Sequence, residues 1–134
     1  MRRTPALASH SSQTLANVLG WFSLGLGAAE LMAPKAMATW LGMRHGAPIL
    51  KAYGAREIAS GMGVLATSNK TPAMWSRVAG DALDIASLVS VAIERPSKRR
   101  NAAIALAAVA GVTVLDIACV VALSRNGRTY AARA

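Results

Sequence analysis

The chain is 134 residues long, the length of one domain, with 54% apolar and only 16% charged residues, against about 25% charged in an ordinary soluble domain. Its mean hydropathy is positive, and its net charge of +9 would direct a soluble protein toward nucleic acid. Here the bases lie beside apolar segments and no RNA- or DNA-binding motif is present, so nucleic acid is excluded as a partner and a bilayer with anionic headgroups is expected instead.

Residues 1–13 are polar, carry Arg2 and Arg3, and read as a disordered basic tail. Residues 14–33 hold no charge before Glu30, and about 20 residues suffice to cross a bilayer core. Pro34 closes this segment. A basic start, an apolar run and Ala36-Met37-Ala38 also imitate a cleaved leader, but the run is too long and the preceding tail too extended, so a span is expected. The connection 34–47 carries Lys35, Arg44 and Trp40. With Met37, Trp40 and Leu41 at helical spacing, it predicts a short amphipathic piece in the membrane interface.

Pro48 suits the first position of a second helix over 48–67. Gly54, Gly61 and Gly63 there favour close packing in lipid, and the packing face is expected along Ala55, Ala59 and Gly63. After a tight turn with Thr71 as N-cap and Pro72 behind it, a third helix covers 73–93, with Ser76 and Gly80 as its own packing pair. Glu94 to Arg100 is a basic loop, 102–123 a fourth helix whose one charge is Asp116, and 125–134 a basic tail. The fold class expected is all-α: an integral membrane four-helix bundle with a polar, charged interior. The soluble alternative, a bundle with buried charges, is disfavoured because the fourth helix is apolar on every face. Basic residues are balanced between the two ends, so orientation stays open and a dual-topology, antiparallel homodimer is compatible with them. A membrane-protein partner is the other expectation.

The chemistry lies in the middle helices. Arg77, Asp81 and Asp84 fall within roughly 60° of one another on one helix face. Arg56 and Glu57 sit mid-way along the preceding segment, and such a charge costs about 2.5–3.5 kcal/mol to insert, so it must be answered inside the bundle. Matching depths by rise per residue puts Arg56 against Asp84, gives Arg77 to Asp81 with Asp116 next in reach, and pairs Glu30 with Lys51 at the periphery. Glu57, about 100° around from Arg56, finds no partner in its own plane. Four central carboxylates against two arginines make a site able to exchange protons or to hold a cationic or hydrogen-bonding ligand; a closed lattice that only holds the helices together is the rival.

Cys119 is the single cysteine and reads as a small packing residue. His10 and His45 have no partner at ligand spacing, so neither metal nor other cofactor is expected. No nucleophile–base–orienter set or phosphate loop is present, which speaks against an enzyme. Trp40, Trp75 and Tyr130 are expected as interfacial anchors.

Read together, Gly20-Trp21-Phe22-Ser23-Leu24-Gly25-Leu26-Gly27, Gly54-Ala55-Arg56-Glu57-Ile58-Ala59-Ser60-Gly61 and Arg77-Val78-Ala79-Gly80-Asp81-Ala82-Leu83-Asp84 carry a resemblance. The chain resembles small four-helix bacterial membrane proteins of the DUF4267 and DoxX-like type, and is similar to the membrane portion of bacterial cyclase/dehydrase proteins. The likeness covers about residues 14–90. It implies the four-helix architecture, a place in the bacterial inner membrane, and interest in Arg56, Glu57, Arg77, Asp81 and Asp84. It implies no activity. Some relatives add a soluble lipid-binding domain after the membrane part, which this sequence does not contain.

The expected function is therefore a non-enzymatic accessory or scaffold module of the membrane. A small proton-coupled transporter or lipophile-binding protein is the alternative.

Overall fold

The computed structural model describes residues 5–132, and no strand occurs among them. Helix α1 spans Pro5–Met32, α2 Pro34–Leu41, α3 Gly46–Ala66, α4 Thr71–Glu94, and α5 Arg99–Ala131, with a short 3-10 turn at Pro96–Lys98 before α5. The fold is all-helical.

Three boundaries differ from expectation. Helix α1 already includes residues 5–13, expected as tail, and α5 continues through 125–131; residues 1–4 and 133–134, with Arg2, Arg3 and Arg133, lie outside the described residues, as does the Tyr130 side chain. Polar residues alone do not stop a helix, α5 continues even through Gly127, and Ser12 and Asn126 meet between the two extensions, with Asn126 Nδ2 donating to Ser12 Oγ at 3.2 Å. Helix α4 begins at Thr71 itself, with no side-chain cap. Lys70 precedes it and turns backward, its Nζ donating to the Val64 and Thr67 carbonyls at 2.5 and 3.1 Å. A cation there satisfies the free carbonyls at the end of α3.

Helices α1 and α3 run antiparallel along two glycine crossings spaced seven residues apart. A Cβ on Gly54 would lie 2.8 Å from the Gly27 carbonyl oxygen, and one on Gly61 would lie 2.7 Å from that of Gly20. The helix backbones touch, which only glycine allows. The packing face of α3 is thus Gly54, Glu57, Gly61 and Val64, all buried. The stripe expected along Ala55, Ala59 and Gly63 is a correction: Ala55 and Ala59 are exposed, because the inward stripe starts one residue earlier. On α4, Ser76 is likewise exposed and Gly80 buried.

Helices α4 and α5 form a second close pair, α5 packs on α1, and the α3–α4 contact is looser. At the end holding the termini, Ala16, Leu19, Val64, Met74, Cys119, Val120 and Leu123 fill the centre. At the other end α2 lies across the bundle. Gly42, at φ 81°, caps α2 in the left-handed conformation, and Asn101 Nδ2 donates to the Trp40 carbonyl at 2.7 Å, pinning α2 to the start of α5.

Candidate functional site

Between these ends lies a layer of charge. Arg56 and Glu57 are neighbours on α3, so their side chains diverge by about 100°. Glu57 points to the bundle centre and is 4% exposed; Arg56 points toward α4. Arg56 Nη2 donates to Asp84 Oδ2 at 2.9 Å and to Glu57 Oε1 at 2.7 Å. Its guanidinium occupies the space left by Gly80, where a Cβ would fall 2.5 Å from Nη1. It also stands 5.2 Å from the centre of the Tyr53 ring, a cation–π distance. The Tyr53 hydroxyl and Ser87 Oγ are 2.6 Å apart, tying α3 to α4.

Arg77, 2% exposed, donates from Nε to both oxygens of Asp116 at 3.2 and 3.1 Å. Its Nη1 lies 3.6 Å from Glu57 Oε2. Ser23 on α1 completes the set: its Oγ contacts the Glu57 carboxylate and sits 2.8 Å from the Glu57 backbone carbonyl oxygen. A continuous chain results, Asp84–Arg56–Glu57–Arg77–Asp116, running from α4 through α3 and back through α4 to α5.

Glu57, expected to lack a partner, is the hub of this chain. Depth-matching by Cα position misses it because the arginine side chain is long enough to reach another level. Arg77 forms no ion pair with Asp81 among the described residues; Asp81 lies instead against Asp116 and Thr113 on α5. The peripheral pair Glu30–Lys51 does not form. Lys51 is exposed, since Leu50 holds the inward position on α3 and the next residue turns about 100° away. Glu30 is 7% exposed and faces inward.

Two carboxylates are therefore left over. Glu30 Oε2 and Asp81 Oδ2 are buried without a hydrogen-bond partner, as are Arg56 Nε and Nη1 and Arg77 Nη1. Glu30 and Asp81 both line a cavity of about 550 Å³ that extends from the charge layer to α2. All five helices contribute to its wall, which is apolar over Phe22, Leu26, Met37, Trp40, Leu88 and Val109. Glu57, Arg77, Asp84, Tyr53 and Ser87 complete its polar side. Ser23, Tyr53 and Ser87 were not singled out from sequence. Tyr53 stands three residues before Arg56 and Ser87 three after Asp84, a helical spacing that marks them as neighbours of the charge.

No cluster of three or more metal-ligating side chains occurs among the described residues. Comparison with protein-family models, curated proteins and solved structures gave no match, so the site is read from its own chemistry.

Proposed function

We propose that this chain is an integral membrane protein whose helices α1, α3, α4 and α5 cross the bilayer and enclose a binding chamber for a lipophilic small molecule. Helix α1 over Ser9–Met32 and the segment Pro96–Thr129 are long and apolar enough to span a membrane. Only 17% of the apolar window of the latter is buried in the bundle, which is the reverse of a soluble core helix. The polarity of the whole molecule supports this reading: Arg77 and Asp116 are 2% and 0% exposed, while Trp21, Ile93 and Met32 are 66–85% exposed. Apolar residues outside and charge inside are stable when lipid is the solvent. Helices α3 and α4, at 21 and 24 residues, have the length to span and direct their charges inward.

The observation that carries the binding function is the cavity. Its volume falls in the range of drug-sized ligand sites, about 300–1,000 Å³. A scaffold role accounts for the Arg56–Asp84 and Arg77–Asp116 pairs but gives no reason for a hollow beside them.

The test uses detergent-purified protein carrying Trp21→Phe and Trp75→Phe, which leaves Trp40 at the chamber wall as the only fluorophore of its kind. A neutral brominated naphthalene quenches Trp40 saturably in this protein, and Ala108→Phe, which fills the chamber from α5, weakens the quenching by about tenfold. Quenching that rises linearly and equally in both proteins would refute the chamber. Protein released from membranes by alkaline wash without detergent would refute the membrane reading.

A further inference from the structure

The chamber is asymmetric in charge. Five of the six acidic residues of the chain, namely Glu30, Glu57, Asp81, Asp84 and Asp116, lie in the interior, whereas among the described bases Arg56 and Arg77 reach the charge layer and Lys70 is buried away from it, against the carbonyls that end α3. At the chamber wall stand Glu30, Glu57, Asp81, Asp84 and Arg77, with Arg56 answering Glu57 and Asp84 from outside the lining. Glu57 and Asp84 are held by the arginines. Glu30 and Asp81 are not: each is more than nine-tenths buried, each has an oxygen without a hydrogen-bond partner, and neither forms an ion pair among the described residues. Buried carboxylate oxygens without donors are costly, and two carboxylates of this kind lining one hollow mark a place for something that supplies charge or hydrogen bonds.

We propose that the chamber takes a lipophilic organic cation, an amine or other onium group bearing apolar bulk, with Glu30 and Asp81 as its charge partners. This assignment rests on the chamber being a binding site and adds the class of ligand. A bare inorganic cation fits poorly, because it requires a full shell of oxygens and much of this wall is carbon. An anion would face Glu30 and Asp81, which no described arginine answers. An organic cation satisfies both sides of the chamber: its charge meets Glu30 on α1 and Asp81 on α4, and its apolar part lies on Leu26, Met37 and Leu88. Trp40 and Phe22 also line the chamber, and aromatic rings attract onium groups. Such a ligand would partition into the bilayer first and arrive where the chamber lies.

Matched ions of opposite sign test this in full-length, detergent-purified protein: tetraphenylphosphonium and tetraphenylborate, measured by equilibrium dialysis against detergent blanks. The cation binds saturably and at least about tenfold more tightly than the anion. Glu30→Gln and Asp81→Asn each weaken cation binding by about tenfold, and weaken it more than they alter quenching of Trp40 by the neutral naphthalene. Equal affinity for the two ions, or unchanged cation affinity in Glu30→Gln, overturns the proposal while the chamber stands. Such a result would mean that the carboxylates are satisfied by protons. If no lipophile of any charge binds, the chamber itself is refuted and this assignment falls with it. Should Asp81→Asn fail to fold, Glu30→Gln decides the matter alone.

Discussion

The two ends of the bundle are built from the same kinds of residue, yet one is filled and the other hollow. At the end holding the termini, Val64, Met74 and Cys119 are 0% exposed and Val120 1%, and the hollow that remains there, about 180 Å³, is a third of the size of the other. At the α2 end the core is thinner, with Ala38, Leu41, Leu50 and Leu88 as its fully buried members, and the cavity of about 550 Å³ opens beside them. The difference lies in geometry rather than composition. Residues of α2 form one wall of the hollow, and it lies where α3 and α4, in looser contact than α1–α3 or α4–α5, both line it. The arginines divide between the two regions: Arg77 (side chain 2% exposed) is locked above the filled end, and Arg56 (22%) stands beside the hollow. The same type of substitution should therefore cost more at one than at the other.

The largest effect is expected at Arg77. Arg77→Ala strands Asp116, which is 0% exposed, and removes one of the cations on Glu57. Removing one partner of a buried ion pair costs about 3–5 kcal/mol. Denaturant unfolding in detergent should show a loss of that size, or the variant should fail to accumulate. Arg77→Met combined with Asp116→Asn should recover much of the loss, because Asp116 is then no longer a stranded charge and Glu57 keeps Arg56. If the double variant is as weak as Arg77→Ala, charge is not what the filled end depends on.

The glycine crossings set the next scale. Gly54→Ala pushes a Cβ into the Gly27 carbonyl at 2.8 Å and against the Glu30 and Leu31 side chains at 3.0 Å. Backbone cannot retreat as a side-chain tip can, so a cost of about 1–3 kcal/mol follows, as for other overpacked sites. Gly25→Ala is the control, since a Cβ there meets nothing within 4 Å. It should be neutral or stabilising by about 0.5–1 kcal/mol through helix propensity alone. Equal losses at Gly25 and Gly54 would show that the close crossing of α1 and α3 is not what holds this pair.

Much of this architecture was legible in the sequence, for specific reasons. Apolar runs punctuated by Pro34, by Ser68–Pro72 and by Pro96 mark four long helices, and period-3.6 arithmetic brings Arg77, Asp81 and Asp84 to one face. Rise per residue places Arg56 level with Asp84, and they pair at 2.9 Å. Four features were not legible. The hub role of Glu57 depends on the length and bend of the Arg77 side chain, which Cα arithmetic ignores. The choice of Gly54 and Gly61 over Ala55, Ala59 and Gly63 as the crossing face depends on which rotation of α3 also buries Glu57, a tertiary fact. The cavity depends on how α2 lies across the bundle, and nothing in Pro34–Leu41 encodes that angle. Lys51 failed as a partner for Glu30 because equal depth says nothing about azimuth.

The smallest expected effect sharpens the comparison most. Arg56→Ala removes the cation from Asp84, but Asp84 lines the chamber with its side chain 15% exposed, and water or ligand there can take over part of its solvation. The cost should be about 1–2 kcal/mol, below that of Arg77→Ala. Asp84→Ala should cost a similar amount. The double variant should be less than additive, with a coupling of about 0.5–1.5 kcal/mol, because each single change already removes the 2.9 Å pair. Additive losses would mean that Arg56 owes its position to Glu57 and to the Tyr53 ring instead. Gly80→Ala approaches the same pair from the other side: its Cβ would overlap the Arg56 guanidinium at 2.5 Å, a group at the end of a flexible chain that can swing away. The coupling between Arg56 and Asp84 should then shrink in a Gly80→Ala background while overall stability changes little. That outcome would identify the glycine as the space that seats the arginine, and would separate this from the α1–α3 glycines, whose space is filled by backbone.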